Sequence, residues 1–109
     1  MEIIKASKLK AIRDKDGLIA KKLSENPNFE IVHLTIEPNS YLKPHKVPFP
    51  VQFYIVEGTA TFLLDGEEYK ITENYVLNCD LESEHGIMNK ADTELIILVI
   101  KHINHKERI

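Results

Sequence analysis

The chain has 109 residues, 43% hydrophobic and 28% charged, with four Gly, five Pro, one Cys and no Trp. A chain of this length buries only about two-thirds of the surface its unfolded form exposes, which supports one core and no separate cofactor domain. A site must therefore lie inside or at the mouth of that core. The apolar fraction is too high, and the net charge of -3 too small, for a disordered chain.

The longest aliphatic run, Leu95–Ile100, falls far below the roughly 20 residues of a membrane helix. No membrane partner is expected. The first residues, Met1-Glu-Ile-Ile-Lys, break their apolar character with charge, so no secretion signal is read and a cytoplasmic location is expected. The single cysteine, Cys79, can form neither an internal disulfide nor a Cys-rich zinc site, which fits a reducing compartment.

The charge is segregated. Residues 1–22 carry +4, residues 101–109 carry +2, and the stretch between them carries -9. Nucleic-acid binding draws on clustered Arg with interleaved aromatics, whereas only Arg13 and Arg108 are present, so no nucleic-acid partner is expected. The basic ends read instead as segments that dock on the acidic body of their own or a sister subunit.

In chain order, the first 25 residues are ambiguous. Ile4, Leu9 and Ile12 are loosely spaced for a helix face, and Leu18–Ser24 could be helical on propensity alone, with Asp14–Gly17 as a turn between two short elements. Glu25-Asn-Pro-Asn28 supplies the next turn. Residues 29–37 alternate, with Val32, Leu34 and Ile36 on one face and His33, Thr35 and Glu37 on the other, and Pro38-Asn39 ends this half-buried strand. His45 opens a further strand. Asp65-Gly66 sits between alternating runs and predicts a two-residue hairpin pairing 59–64 with 67–71, because both central positions need positive φ. The run 95–100 lacks alternation and reads as buried on both faces, by a second sheet layer or by a partner subunit. Short strands with turns at roughly 8–12-residue spacing predict an all-β sandwich or barrel in one domain, residues 1–109.

Two of the five histidines stand in suggestive places: His45 after Tyr41-Leu-Lys-Pro44, and His85 in Asp80-Leu-Glu-Ser-Glu-His-Gly-Ile-Met-Asn89. From about Phe29 to Lys101 the sequence resembles a small single-domain cupin. The first cupin motif runs from a Gly through two His and a Glu to a second Gly; here Asn39 stands at the first Gly, His45 at the first His and Gly58 at the last Gly. In the second motif His85 and Asn89 match, while Asn74, Asp80 and Glu82 replace Gly, Pro and Gly. The resemblance implies a mainly antiparallel double-stranded β-helix, or jelly-roll barrel, over about residues 29–101. It also implies a homodimer, in which residues 1–28 pack on or exchange with a partner subunit.

The resemblance departs from the family at the ligand positions. In metal-binding cupins three His and one Glu hold iron, manganese, nickel, zinc or copper, but here the second His position is Val47 and the Glu position is Val51. His45 and His85 are the remaining candidate metal ligands, and catalytic metal sites ordinarily use three protein ligands. Gln52 is a substitute only if a bulge turns it to the other face of its strand, and Glu82 or Glu84 only if a bent loop presents it.

Parity gives a simpler reading. If His45 points inward, Val47, Phe49, Val51, Phe53 and Ile55 follow it, and His85, Ile87 and Asn89 line the facing strand. That is an apolar pocket with histidines near its mouth, suited to a small-molecule ligand held by a few polar groups. The remaining candidates read as structural: His33 as surface, His102 and His105 as a solvated tail, Cys79 as a buried thiol, and Asp80, Glu82 and Glu84 as a solvated loop.

Three functions compete. The first is a non-catalytic or unassigned cupin binding a small molecule. The second is a metal-dependent dioxygenase, isomerase or decarboxylase using His45 and His85. The third is metal-free acid–base chemistry of the epimerase kind. Fold membership does not choose among them, and whether the chain is an enzyme stays open.

Overall fold

The computed structural model describes residues 1–80 and 83–104. A short 3-10 turn, Ala6–Lys8, precedes ten strands: β1 Arg13–Lys15, β2 Leu18–Glu25, β3 Glu30–Ile36, β4 Tyr41–His45, β5 Val51–Glu57, β6 Ala60–Leu64, β7 Glu67–Ile71, β8 Val76–Cys79, β9 His85–Met88 and β10 Leu95–Lys101. They form a six-stranded sheet, ordered β1-β2-β3-β10-β5-β8, and a four-stranded sheet, ordered β4-β9-β6-β7. All pairings are antiparallel.

Alternation drives this arrangement. Leu18 and Ala20 on β2, Val32, Leu34 and Ile36 on β3, Val51, Phe53 and Ile55 on β5, and Leu95, Ile97 and Val99 on β10 all turn inward from the larger sheet. Ala60, Phe62 and Ile87 meet them from the smaller one, and Phe53 packs edge-on against Phe62 with ring centroids 5.2 Å apart. Packing of two inner faces between twisted antiparallel sheets is the general solution for such strands.

Two hairpins share one chemistry. Asp65-Gly66 takes φ values of 49° and 85° between β6 and β7, the left-handed pair that the sequence predicts. Asp16-Gly17, at 56° and 76°, does the same between β1 and β2 and sets the register that places Arg13 opposite Ala20.

Several expectations are corrected. Leu18–Ser24, which the sequence leaves open, is strand, because Leu18 and Ala20 gain burial on a sheet face that outweighs weak helical propensity. The sheet therefore begins before residue 29, and β2 pairs with β3 of its own chain. The run 95–100 alternates in burial within the chain: Leu95, Ile97 and Val99 are buried, whereas Ile96, Leu98 and Ile100 are half-buried on the outer face, with no second layer of this chain over them among the described residues, so of the two covers expected the second sheet layer is ruled out. His45 closes a strand instead of opening one. Residues 46–50 leave the smaller sheet and cross to the larger, and Pro48 and Pro50, which lack an N–H, keep that crossing out of either ladder.

Candidate functional site

A cavity of about 270 Å³ lies between the two sheets. Its floor is Leu18, Ala20, Val32, Leu34 and Val99 from the larger sheet, and its side wall is Val51 and Phe53 from β5. The crossing segment supplies Val47 and Phe49, and β4 and β9 supply Leu42, His45 and His85. Ile12, Arg13 and Lys101 complete the lining. A wider groove of about 700 Å³ adjoins it and shares Arg13, Leu42 and His45, so the cavity opens to solvent beside those residues.

His45 and His85 are cross-strand partners, with ring centroids 5.1 Å apart and planes tilted by 55°. The approach depends on Gly86: a Cβ there would stand 2.8 Å from the Pro44 nitrogen and 2.9 Å from the Leu42 carbonyl oxygen. His45 is exposed. Its Nδ1–H donates to the Lys43 carbonyl at 2.9 Å, which leaves Nε2 of the neutral ring as an acceptor. His85 is 2% exposed, its ring lies edge-on to Phe53 at 5.1 Å, and its Nδ1 has no hydrogen-bond partner among the described residues. Burial, and then the nearby His45, hold the His85 imidazole below its ordinary value of 6.5, against weaker opposing effects of the Ser83 backbone and Asp65. At neutral pH it is an uncharged imidazole.

Other expected lining residues lie elsewhere. Ile87 is fully buried in the inter-sheet core between Phe62 and Leu42 and does not line the cavity. Asn89, 1% exposed, also stays away from it and braces the chain: Nδ2 donates to the carbonyls of Ile36 and Thr93 at 2.9 and 2.8 Å, and Oδ1 accepts from the Ala91 N–H at 3.0 Å. Short polar side chains with several backbone partners serve such turns well.

The donor set does not fit a three-ligand metal centre. No group of three or more His, Cys, Asp or Glu positioned to hold a metal exists among the described residues. Val47 and Val51 occupy the walls beside the two imidazoles. Gln52 faces away, as alternation requires: Nε2 donates to Asn78 Oδ1 at 2.7 Å, and Oε1 accepts from His102 Nε2 at 3.0 Å. Glu84 is exposed, its backbone fastened to Asp65 of the hairpin turn. Glu82 and His105 lie outside the described residues. Cys79 is buried beside β5, where desolvation raises its thiol and keeps it protonated.

The sequence reading missed Arg13, Lys101 and the floor residues Ala20 and Val99. Parity could have found Lys101, which extends the inward series of Leu95, Ile97 and Val99. Arg13 becomes visible only once β1 is paired with β2.

No family model matches the chain, and no curated protein sequence matches it. Solved structures do. The polyketide cyclase RemF from Streptomyces resistomycificus superposes with a TM-score of 0.81 at 20% identity, covering 93% of this chain and 78% of that one. A predicted oxalate decarboxylase from Thermotoga maritima gives 0.83 at 19% identity, covering 93% and 98%. An RmlC-like cupin from Shewanella frigidimarina gives 0.82 at 17% identity, covering 93% and 89%. Three positions that the sequence aligned with cupin glycines, or with Asn in their place, have left-handed φ: Asn39 at 63°, Gly58 at 95° and Asn74 at 68°. Sheet order, hairpin, motif backbone and structural likeness agree, and the chain has the cupin fold.

Proposed function

We propose that this chain binds one small organic molecule in the cavity between its sheets, with Val47, Phe49, Val51 and Phe53 against its apolar body and the two histidines against a polar group. The supporting observation is His85: a neutral, buried imidazole whose Nδ1 has no partner among the described residues, standing in the mostly apolar wall of the cavity. Such a nitrogen costs about 1–3 kcal/mol when left unsatisfied, and a ligand or water that reaches it recovers part of that. The volume lies just under the 300–1,000 Å³ or so of common ligand pockets, which selects compounds of one ring or a short chain.

The test is methyl NMR of Val47, Val51 and Leu34 during titration with a panel of one-ring compounds. Shifts concentrated on these methyls are expected, and their absence across the panel overturns the reading.

Metal-free proton transfer is the second reading. It is favoured by the pairing of an exposed His45, whose Nε2 is free to accept a proton, with a neutral His85 at 5.1 Å. A ligand found by the titration should then exchange a proton with solvent deuterium, and the His45→Gln variant should not support the exchange. A metal-dependent reaction is not carried forward, because the donors at the cavity number two among the described residues.

The proposal includes a cytoplasmic homodimer. Support comes from the outer face of the larger sheet, where Ile31, Ile96, Leu98 and Ile100 are half-buried and Val76 is exposed. Contiguous apolar surface of this kind marks interaction sites. Light scattering should give twice the 12.6 kDa chain mass, and a monomeric mass at micromolar concentration overturns it.

A further inference from the structure

The basic ends of the chain both contribute to the lining of the cavity. Arg13 comes from the +4 N-terminal stretch and Lys101 from the +2 C-terminal one. Arg13 pairs in register with Ala20, whose side chain lines the cavity, so the guanidinium stem leaves β1 on that same face. Lys101 ends β10 on the parity of Leu95, Ile97 and Val99, which are buried against the core.

Among the described residues no Asp or Glu lines the cavity, although the stretch between the two basic ends carries -9. Glu30, the cross-strand neighbour of Lys101, is engaged by Lys22 at 3.5 Å. Asp16 lines the outer groove together with Arg13 and Lys43, leaving that groove net cationic. Among the described residues neither Arg13 nor Lys101 forms an ion pair.

We infer that the ligand is a small organic monocarboxylate, its charge balanced by the two cations of the cavity lining, Arg13 and Lys101, and its apolar body packed against Phe53. This deepens the small-molecule reading above and rests on it. A fork-shaped guanidinium suits a planar carboxylate, and the half-buried position of Lys101 strengthens its attraction for an anion. A second negative charge carried on the apolar body would have to sit desolvated against valine and phenylalanine, so dicarboxylates are disfavoured. One aromatic ring fits the space, since an apolar cavity of about 150 Å³ already accepts benzene.

The experiment compares benzoate with its neutral analogue benzyl alcohol by calorimetry at low salt. The proteins are the unmodified chain, Arg13→Gln and Lys101→Gln, with unfolding curves confirming that each variant is folded. Benzoate should bind about tenfold or more tightly than benzyl alcohol, and each substitution should weaken benzoate about three- to tenfold while leaving benzyl alcohol unchanged. Equal affinity for the two compounds overturns the carboxylate assignment and leaves the cavity reading standing. Binding of neither overturns both. Inorganic phosphate displacing benzoate at equal concentration also overturns the assignment, because the two cations would then form a plain anion site indifferent to the apolar body.

Discussion

His45 and His85 face each other across β4 and β9 at 5.1 Å, one exposed to solvent and the other almost wholly buried. Burial, with His45 beside it, holds the His85 imidazole below its ordinary value, and the two rings, which come from separate motifs in the sequence, meet only through strand pairing. Their neighbours decide what they can do.

Stability should depend on pH through His85. Its folded value is depressed below the ordinary 6.5, so between the two values the unfolded chain binds more protons than the folded one. Stability is full above about pH 6.5 and falls as pH drops from there toward the folded value. Thermal unfolding followed between about pH 5 and 7.5 should show this slope, and His85→Asn should flatten it. An unchanged slope in that variant would assign the effect to other groups.

Restoring the absent donors should create a metal centre. In a Val47→His, Val51→Glu double variant, the two new donors would join His45 and His85 at the cavity. Zinc or nickel affinity, measured by calorimetry, should rise by about 100-fold or more. Equal binding by both proteins would show that the cavity geometry does not allow ligation.

Gly86→Ala should separate the histidines. The added methyl meets backbone atoms of Leu42 and Pro44 at 2.8–2.9 Å, contacts that neither strand can relieve by rotating a side chain. Overpacking of this kind costs about 1–3 kcal/mol. Urea unfolding reads the loss, and nuclear Overhauser contacts between the two rings should disappear.

Asn89→Ala should destabilise the fold without altering the cavity. It strands the carbonyls of Ile36 and Thr93 and the N–H of Ala91, for an expected loss of about 1–3 kcal/mol by urea unfolding. Benzoate affinity of the folded fraction should be unchanged. A loss of affinity larger than the loss of stability would place Asn89 at the ligand.

Phe53→Ala should cost more. Phe53 joins the aromatic pair with Phe62 to the ring of His85 and is buried, so about 3–5 kcal/mol is expected in urea, together with an enlarged cavity.

Much of the fold was legible in the sequence because β structure writes itself with period two. Val32, Leu34 and Ile36 point inward as their spacing requires, Asp65-Gly66 makes the turn its chemistry demands, and Gln52 falls on the face opposite Val51 and Phe53. The first 25 residues resisted because Leu18–Ser24 has no strong local preference, and only pairing with β3 decides it.

The sequence by itself determined the inward and outward faces, the two turns and the replacement of expected ligand positions by Val47 and Val51. Each depends on neighbours within a few residues, where backbone sterics and parity act. The tertiary structure decided what lies across the cavity. Ile87 and Asn89 share a parity with His85, yet they pack below and beside the space it lines. Arg13 and Lys101, 88 positions apart in number, line one cavity. Sheet order makes those juxtapositions, and sheet order is set by burial of the whole core, a property that no short segment of the chain carries.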